Sequence, residues 1–290
     1  MDSIWSTIVI QMLHGLAYGM LLFLVASGLT LVFGMMNVLN IAHASFYMLG
    51  AYFSYQMLKM VGNFWVGLVV CPLLVGLLGV FMERFLLRRV HAGGHVQEFV
   101  ITFGILFVIN ELVKWIWGTA PLPVPIPPAL SGSVMIMGNV YPVYRLFILF
   151  FSLGILIFLA FILMKTRLGI TVRAAVSDRD MVSALGTNTP RVFMLVMGIG
   201  TGLAGLAGVI AGPFISTYPG MALEILVDCF IVTVTGGLGS LLGAVVASFL
   251  IGQLSSFGIL FIPRFAIVFA FLLMAVVLII KPSGLFGEKA

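Results

Sequence analysis

The chain has 290 residues, of which 62% are apolar and 8% charged, with a net charge of +5 and a mean hydropathy of +1.26. Soluble domains carry about 25% charged residues, so a water-soluble fold is excluded. The apolar runs are continuous, which excludes a membrane barrel of ~10-residue alternating strands. The basic balance points to Lys and Arg retained on one membrane face, not to a nucleic-acid partner.

Apolar runs fall near 7–33, 38–57, 64–83, 98–117, 143–164, 191–212, 223–236, 240–257 and 264–281. Most are close to the ~20 residues that a helical span requires. They predict an all-α, polytopic membrane bundle of about 8–9 spans, with broken or re-entrant helices near 34–43 and 236–240. No segment suits a soluble domain, so residues 1–290 read as a single transmembrane domain. The opening MDSIWSTIVIQ has an acid and no basic leader region, so it reads as an uncleaved first span.

Gly34–Gly50, GMMNVLNIAHASFYMLG, interrupts the apolar pattern with Asn37, Asn40 and His43. Irregular backbone at membrane depth is tolerated where it lines a cavity or is buried in protein, and transporters build polar paths that way. A tight turn with asparagine capping the next helix is the other reading. His43 reads as a structural histidine or as a proton relay. Cys71 and Cys229 lie in apolar runs and read as small core residues. The linker 84–97 carries Arg84, Arg88 and Arg89. Glu111 and Lys114 share a helix face, where they pair or snorkel. The loop 118–142 contains APLPVPIPP, with Pro121, Pro123, Pro125, Pro127 and Pro128. Such proline spacing favours a stiff extended strand, either a strap across the outer face or part of a docking surface.

Residues 165–191, KTRLGITVRAAVSDRDMVSALGTNTPR, form a polar island with five of the fourteen Lys/Arg and two of the nine acids. It is too long for a tight interhelical turn and too small for its own core. A helix is expected from Thr171 to Leu185, with Ile170, Ala174, Met181 and Leu185 on one face, Asp178 interrupting that face, and Gly186 as the stop. An amphipathic surface helix could rest on anionic headgroups, but mixed charge from Arg173, Asp178 and Asp180 suits a protein partner better.

Gly200-Thr-Gly202-Leu-Ala-Gly205 fits a dinucleotide fingerprint but lies inside an apolar run, not between a strand and a helix. Gly200, Ala204, Gly208 and Gly212 instead form a small-residue stripe for close helix packing. Glu224 and Asp228 share a face near the start of a short helix, where the dipole favours acids or where they border a path. Residues 223–257 as one helix would reach ~52 Å against a ~30 Å core. They therefore form two short crossings or a re-entrant pair broken at Gly236-Gly237-Leu238-Gly239-Ser240. Ala247-Ser248-Phe249 sits past that break much as Ala44-Ser45-Phe46 sits past the first, by internal repetition or by chance.

The linker 84–97, the island and the tail with Lys281 and Lys289 hold ten of the fourteen basic residues. The positive-inside rule makes that side cytoplasmic. Parity then puts the N-terminus outside and the C-terminus inside. P-loop, zinc-hydrolase and serine-hydrolase motifs and clustered Cys/His sets are absent, so the reading is a non-enzyme with no cofactor of its own, and any ATP chemistry falls to a partner.

Four segments together resemble the permease subunits of branched-chain amino acid ABC importers, and more closely the first of the two paralogous permeases. They are GLTLVFGMMNVLNIAHASFYMLGAY, TRLGITVRAAVSDRDMVSALGTNTPRV, GIGTGLAGLAGVIAG and TVTGGLGSLLGAVVASFLIG, covering roughly 10–286 in order. The resemblance implies a second permease, two cytoplasmic ATPases that hydrolyse the ATP, and a periplasmic or extracellular substrate-binding protein, in a bacterial inner membrane. It makes 165–190 the ATPase-coupling segment, with Arg167, Gly169, Arg173, Ala174, Ala175, Asp178, Leu185 and Gly186 on its motif, and the mixed charge adds Asp180 to the coupling residues. The family's N-terminal motif matches Asn40, Ala42 and His43, and its glycine motif Gly236, Gly237, Gly239 and Ser240. Asn37, Asn40, His43, Phe46, Asp228, Gly236, Gly237, Gly239 and Ser240 are the candidate translocation path. Ala44 stands where the family usually has glycine, and Asp228 where a basic residue is common. Related systems carry short amides or urea. From another class, a self-sufficient secondary transporter or channel would use Asp228, Glu224 or His43 as ion sites.

Overall fold

A computed structural model describes residues 2–37 and 40–287, apart from the side chains of Asp2, Ser3, Ala92, Ser177, Arg179 and Asp180. The long helices are α1 (Asp2–Met36), α2 (His43–Val61), α3 (Phe64–Met82), α4 (His95–Trp117) and α5 (Val143–Lys165). Two short helices follow, α6 (Arg167–Ser177) and α7 (Arg179–Ala184). The chain then runs through α8 (Thr189–Ile215), α9 (Met221–Gly236), α10 (Leu241–Phe261) and α11 (Ala266–Ile280). α3 continues through a π turn, Glu83–Leu87, into Arg88–Val90.

The fold is the all-α membrane bundle expected. Among the described residues, seven helical stretches are long and apolar enough to cross a membrane. The expected 8–9 differs through α2 and α9. α2 carries Tyr, Ser, Gln and Lys among its apolar residues, and α9 has only 16 residues, about 24 Å of helix. α9 and α10 are separate helices joined by the glycine turn, so 223–257 is not one continuous span.

The centre is built from α1, α2, α8 and α10. About two thirds or more of the α1 and α8 spans is buried, 72% and 67%, whereas the last span is 11% buried and faces outward. Small residues set this arrangement. A Cβ added at Gly19 would lie 2.6 Å from the Ser248 carbonyl oxygen on α10, and one at Gly50 would collide with the Gly205 backbone on α8. The stripe at Gly200, Ala204 and Gly208 thus packs within the chain, with Gly200 on Gly28 of α1 and Gly208 on Tyr47 of α2.

One end of the bundle carries a β-hairpin, β1 (Ser133–Ile136) antiparallel to β2 (Asn139–Pro142), turning at Met137 and Gly138 with φ of 49° and 80°. The proline segment is strapped to this end. Leu122 N–H donates to Thr217 O at 2.8 Å, Thr217 N–H donates back at 3.0 Å, and Val124 is buried against Gly212. Lys114 and Glu111 form an exposed ion pair of 2.6 Å at the end of α4. Just below, the buried Tyr144 hydroxyl donates to Ile210 O at 2.7 Å. Tyr144→Phe strands that carbonyl lone pair and is expected to cost about 1 kcal/mol, read as a lowered midpoint of thermal aggregation in detergent.

The opposite, basic end gathers the α3–α4 linker, the polar island, the glycine turn and the tail. His91 meets Phe193 of α8 edge-on at 6.3 Å, Gly239 lies against Gly34 of α1, and the tail pairs with the turn through Leu285 N–H to Thr235 O and Phe286 N–H to Gly236 O, each 2.9 Å. Cys71 and Cys229 are free and buried.

Candidate translocation path and coupling segment

The island is not one helix. The backbone leaves the helical region at Asp178, with φ −154° and ψ 99°, and the carboxylate accepts from Met181 N–H at 2.9 Å. Asp178 is therefore the N-cap of α7, which corrects the expected single helix from Thr171 to Leu185. Thr166 caps α6 in the same way, accepting from Gly169 N–H at 3.3 Å. A Cβ at Gly169 would collide with the Ile162 and Leu163 carbonyls, so glycine permits the sharp turn from α5 into α6. Gly186, with φ 85°, ends the segment after α7 as expected.

The buried face also differs from the expected one. Val172, Ala175 and Val182 pack inward, whereas Ile170, Met181 and Leu185 are exposed and Ala174 is half-buried. With Leu168 and Val176 they leave an apolar surface facing away from the bundle. Arg167 and Arg173 are exposed on the same platform, and Arg173 donates to Leu163 O. The backbone of Asp180 lies in α7, while its side chain is outside the described residues.

At the first break, α1 ends at Met36, and Asn37 is exposed with φ 53°. The chain then turns back into the bundle. His43, the first residue of α2, bonds through Nε2 to Val25 O at 3.0 Å, which is 11 residues or about 16 Å back along α1. Asn40 is buried beside it, with Nδ2 3.6 Å from Met197 Sδ. Asn40 Oδ1 and His43 Nδ1 are buried without a hydrogen-bond partner among the described residues, an arrangement that normally costs about 1–3 kcal/mol each. Phe46 does not join them. It lines a separate apolar groove of about 290 Å³ between α2, α3 and α4.

The glycine turn sits at the basic end, under the tail. Ser240 Oγ accepts from Gly243 N–H at 3.1 Å and starts α10, while Gly237 and Gly239 take φ of 105° and 80°. The structure thus separates Gly236, Gly237, Gly239 and Ser240 from Asp228, which lies two turns earlier on α9. Asp228 borders a cavity of about 500 Å³ in the hairpin half, together with His14 and Tyr18 of α1, Arg145 of α5 and Phe214 of α8. Tyr18 Oη donates to Asp228 Oδ2 at 2.8 Å, and Arg145 donates to His14 Nδ1. Glu224 points elsewhere, exposed and accepting from Tyr218 Oη.

The family described as "Branched-chain amino acid transport system / permease component" matches residues 11–280. The chain belongs to this family. The permease is 28% identical to the high-affinity branched-chain amino acid transport system permease protein BraD of Pseudomonas aeruginosa, over 96% of this chain and 95% of that one. It is 27% identical to the corresponding LivH protein of Escherichia coli K12, again over 96% and 95%. It is 24% identical to a probable LivH of Methanocaldococcus jannaschii, over 93% and 90%. No solved structure matches. Membership of a transport-permease family makes the chain a multi-pass membrane transport component and not an enzyme.

Four of the permease's organising residues escape a reading of the sequence. His14, Tyr18 and Arg145 stand singly in apolar surroundings, and the only signal is that His14 and Tyr18 share a helix face four residues apart. His91 holds Glu83 and Glu98 together at the basic end, at 3.0 and 2.6 Å, in a linker whose arginines mark only sidedness.

Proposed function

We propose that the permease is the membrane-spanning subunit of an ATP-driven importer of branched-chain amino acids in a bacterial inner membrane, one transmembrane domain with its N-terminus outside and its C-terminus in the cytoplasm. Its partners are a second, paralogous permease, two cytoplasmic ATP-binding subunits and a periplasmic or extracellular substrate-binding protein. The observation that carries this reading is the twice-capped platform of α6 and α7, which keeps five large apolar side chains exposed at the basic end. An exposed apolar patch rimmed by charge marks a protein contact.

The platform docks an ATP-binding subunit through Arg167, Gly169, Arg173, Ala174, Ala175, Asp178, Asp180, Leu185 and Gly186. α6 packs on the ends of α5 and α1 and on the start of α8, so a push from the ATPase reaches the break at Asn37–His43 directly. Rocking α1 and α8 about this break alternates access to the interior. The unpaired Asn40 and His43 atoms then offer polar lining to cargo, with Asp228 near the entrance, and Gly236–Ser240 serve as the inner hinge.

Charge and cap are separable at Asp178. Asp178→Asn keeps a capping side chain but removes the charge, and Arg173→Glu reverses one. Both are expected to reduce leucine-stimulated ATP hydrolysis by about tenfold or more, as loss of an interfacial charge pair does, while membrane insertion is unchanged. Hydrolysis that stays coupled to uptake in both variants overturns the docking assignment.

A further inference from the structure

The 500 Å³ cavity presents two opposite charges that do not neutralise each other. Arg145 on one wall has His14 Nδ1 as acceptor and the Phe214 ring 5.0 Å from its Cζ. Asp228 on another wall has the Tyr18 hydroxyl. Among the described residues, neither charge has an ion-pair partner. Half-buried charges at membrane depth are costly when left apart, and this pair is held apart by neutral groups. Arginine only donates, so the nitrogen of His14 that accepts from it carries no proton. His14 is itself fixed by stacking on Tyr141 at 4.9 Å. His14 and Tyr18 are one turn apart on α1, so the two charges hang from anchors separated by about 6 Å.

Each charged group keeps most of its hydrogen-bonding capacity unused, since a guanidinium has five donor hydrogens and a carboxylate about four acceptor positions. The rest of the lining is mostly apolar, with Ile231, Ile259, Ile267 and Phe271, and adds Gln11, Ser255 and Ser256. Gln11 and Ser256 satisfy each other, Gln11 Nε2 donating to Ser256 O and Ser256 Oγ to Gln11 O. We propose that this cavity is a recognition station for the zwitterionic head of an aliphatic amino acid. Arg145 takes the α-carboxylate, Asp228 takes the α-ammonium, and the side chain lies on the isoleucine wall. The assignment rests on the importer reading and deepens it by naming the site and the residues with which the membrane subunit itself selects that cargo. An amide or urea would leave one or both charges desolvated and unpaired, so the cavity disfavours such cargo.

The test uses membranes containing the full chain co-expressed with its partner subunits and no binding protein. Saturation-transfer NMR reads leucine binding in the ~mM range expected of a transit site. Leucinamide, which lacks the carboxylate, and 4-methylpentanoate, which lacks the ammonium, are the competitors. The wild type is expected to prefer leucine to each by about tenfold or more. Arg145→Gln should erase the preference over leucinamide only, and Asp228→Asn the preference over 4-methylpentanoate only. Tyr18→Phe should weaken leucine by a few-fold. No saturable leucine signal in the wild type, equal competition by both analogues, or variants that keep both preferences each overturn the proposal. The wild-type comparison needs no variant to fold. Leucine-coupled ATP hydrolysis of the complete importer is measured beside it: its loss sinks the importer reading, whereas intact coupling with indifferent analogues sinks only the cavity.

Discussion

Gly208→Val is expected to remove the folded permease from the membrane. A Cβ at this position would run into the Tyr47 carbonyl and lie 2.9 Å from Ala51 N, both backbone atoms of α2. Backbone cannot rotate away as a side chain can, so α2 and α8 must separate. The same interface carries Gly50 on Gly205, and on the other side of α8 a Cβ at Gly205 would lie 2.8 Å from Val75 of α3. Three helices therefore depend on one seam, and the penalty should be about 3 kcal/mol or more. Membrane helices lack a hydrophobic drive toward each other and rely on such close packing. Gly154→Ala is the matched control. It lies in α5 with nothing within 4 Å of its added Cβ, so the change is expected to be neutral or to stabilise by about 0.4–1 kcal/mol. Detergent extraction followed by size-exclusion fluorescence at rising temperature distinguishes the two.

The second large effect belongs to His91. Its Nδ1 lies 2.6 Å from Glu98 Oε1 and its Nε2 3.0 Å from Glu83 Oε1. Both ring nitrogens can donate only in the protonated ring, so the site holds an imidazolium between two buried carboxylates. The hydrogen bond to Glu83 raises the His91 pKa above its ordinary value, burial works against it, and Glu98 adds to the rise. His95 is exposed and lies 3.5 Å from Glu98 Oε2. His91→Gln leaves two carboxylates without their shared cation and is expected to cost about 3–5 kcal/mol, as breaking a buried pair does. The sign of the pH dependence follows. With the folded pKa raised, the stabilisation is complete below the unfolded value of about 6.5 and is lost as pH rises through the folded one. Thermal midpoints of wild type and His91→Gln should therefore differ most in mildly acidic buffer and converge towards alkaline pH. A gap that widens with pH would mean that His91 is neutral in the folded state.

The spans, the glycine turn and the small-residue stripe are legible in the sequence because each depends on local composition or on a fixed helical period. The island is only half legible. Apolar spacing from Ile170 to Leu185 suggests one continuous helix, yet Asp178 three residues before Met181 can satisfy a free N–H of a new helix, and that local bond prevails over the periodicity. The two capped helices then bury Val172, Ala175 and Val182 and turn Met181 and Leu185 outward. The hairpin after the prolines goes unread because its turn needs left-handed backbone at Met137 as well as at Gly138, and methionine gives no such signal. The cavity is the least legible part. Tyr18 and Asp228 are 210 residues apart, and no periodicity or motif connects positions that meet only when α1, α5 and α9 have packed.

The clasp between the tail and the glycine turn has a consequence for how the protein is made. The Thr235 and Gly236 carbonyls receive Leu285 and Phe286, about fifty residues later in synthesis. At about 5–20 residues per second the ribosome needs roughly 3–10 s to supply them. Until then the Thr235 and Gly236 carbonyls at the end of α9 lack these partners. Closure of this end of the bundle thus comes late in synthesis, and a nascent permease stalled before Leu285 would present its glycine turn unlatched.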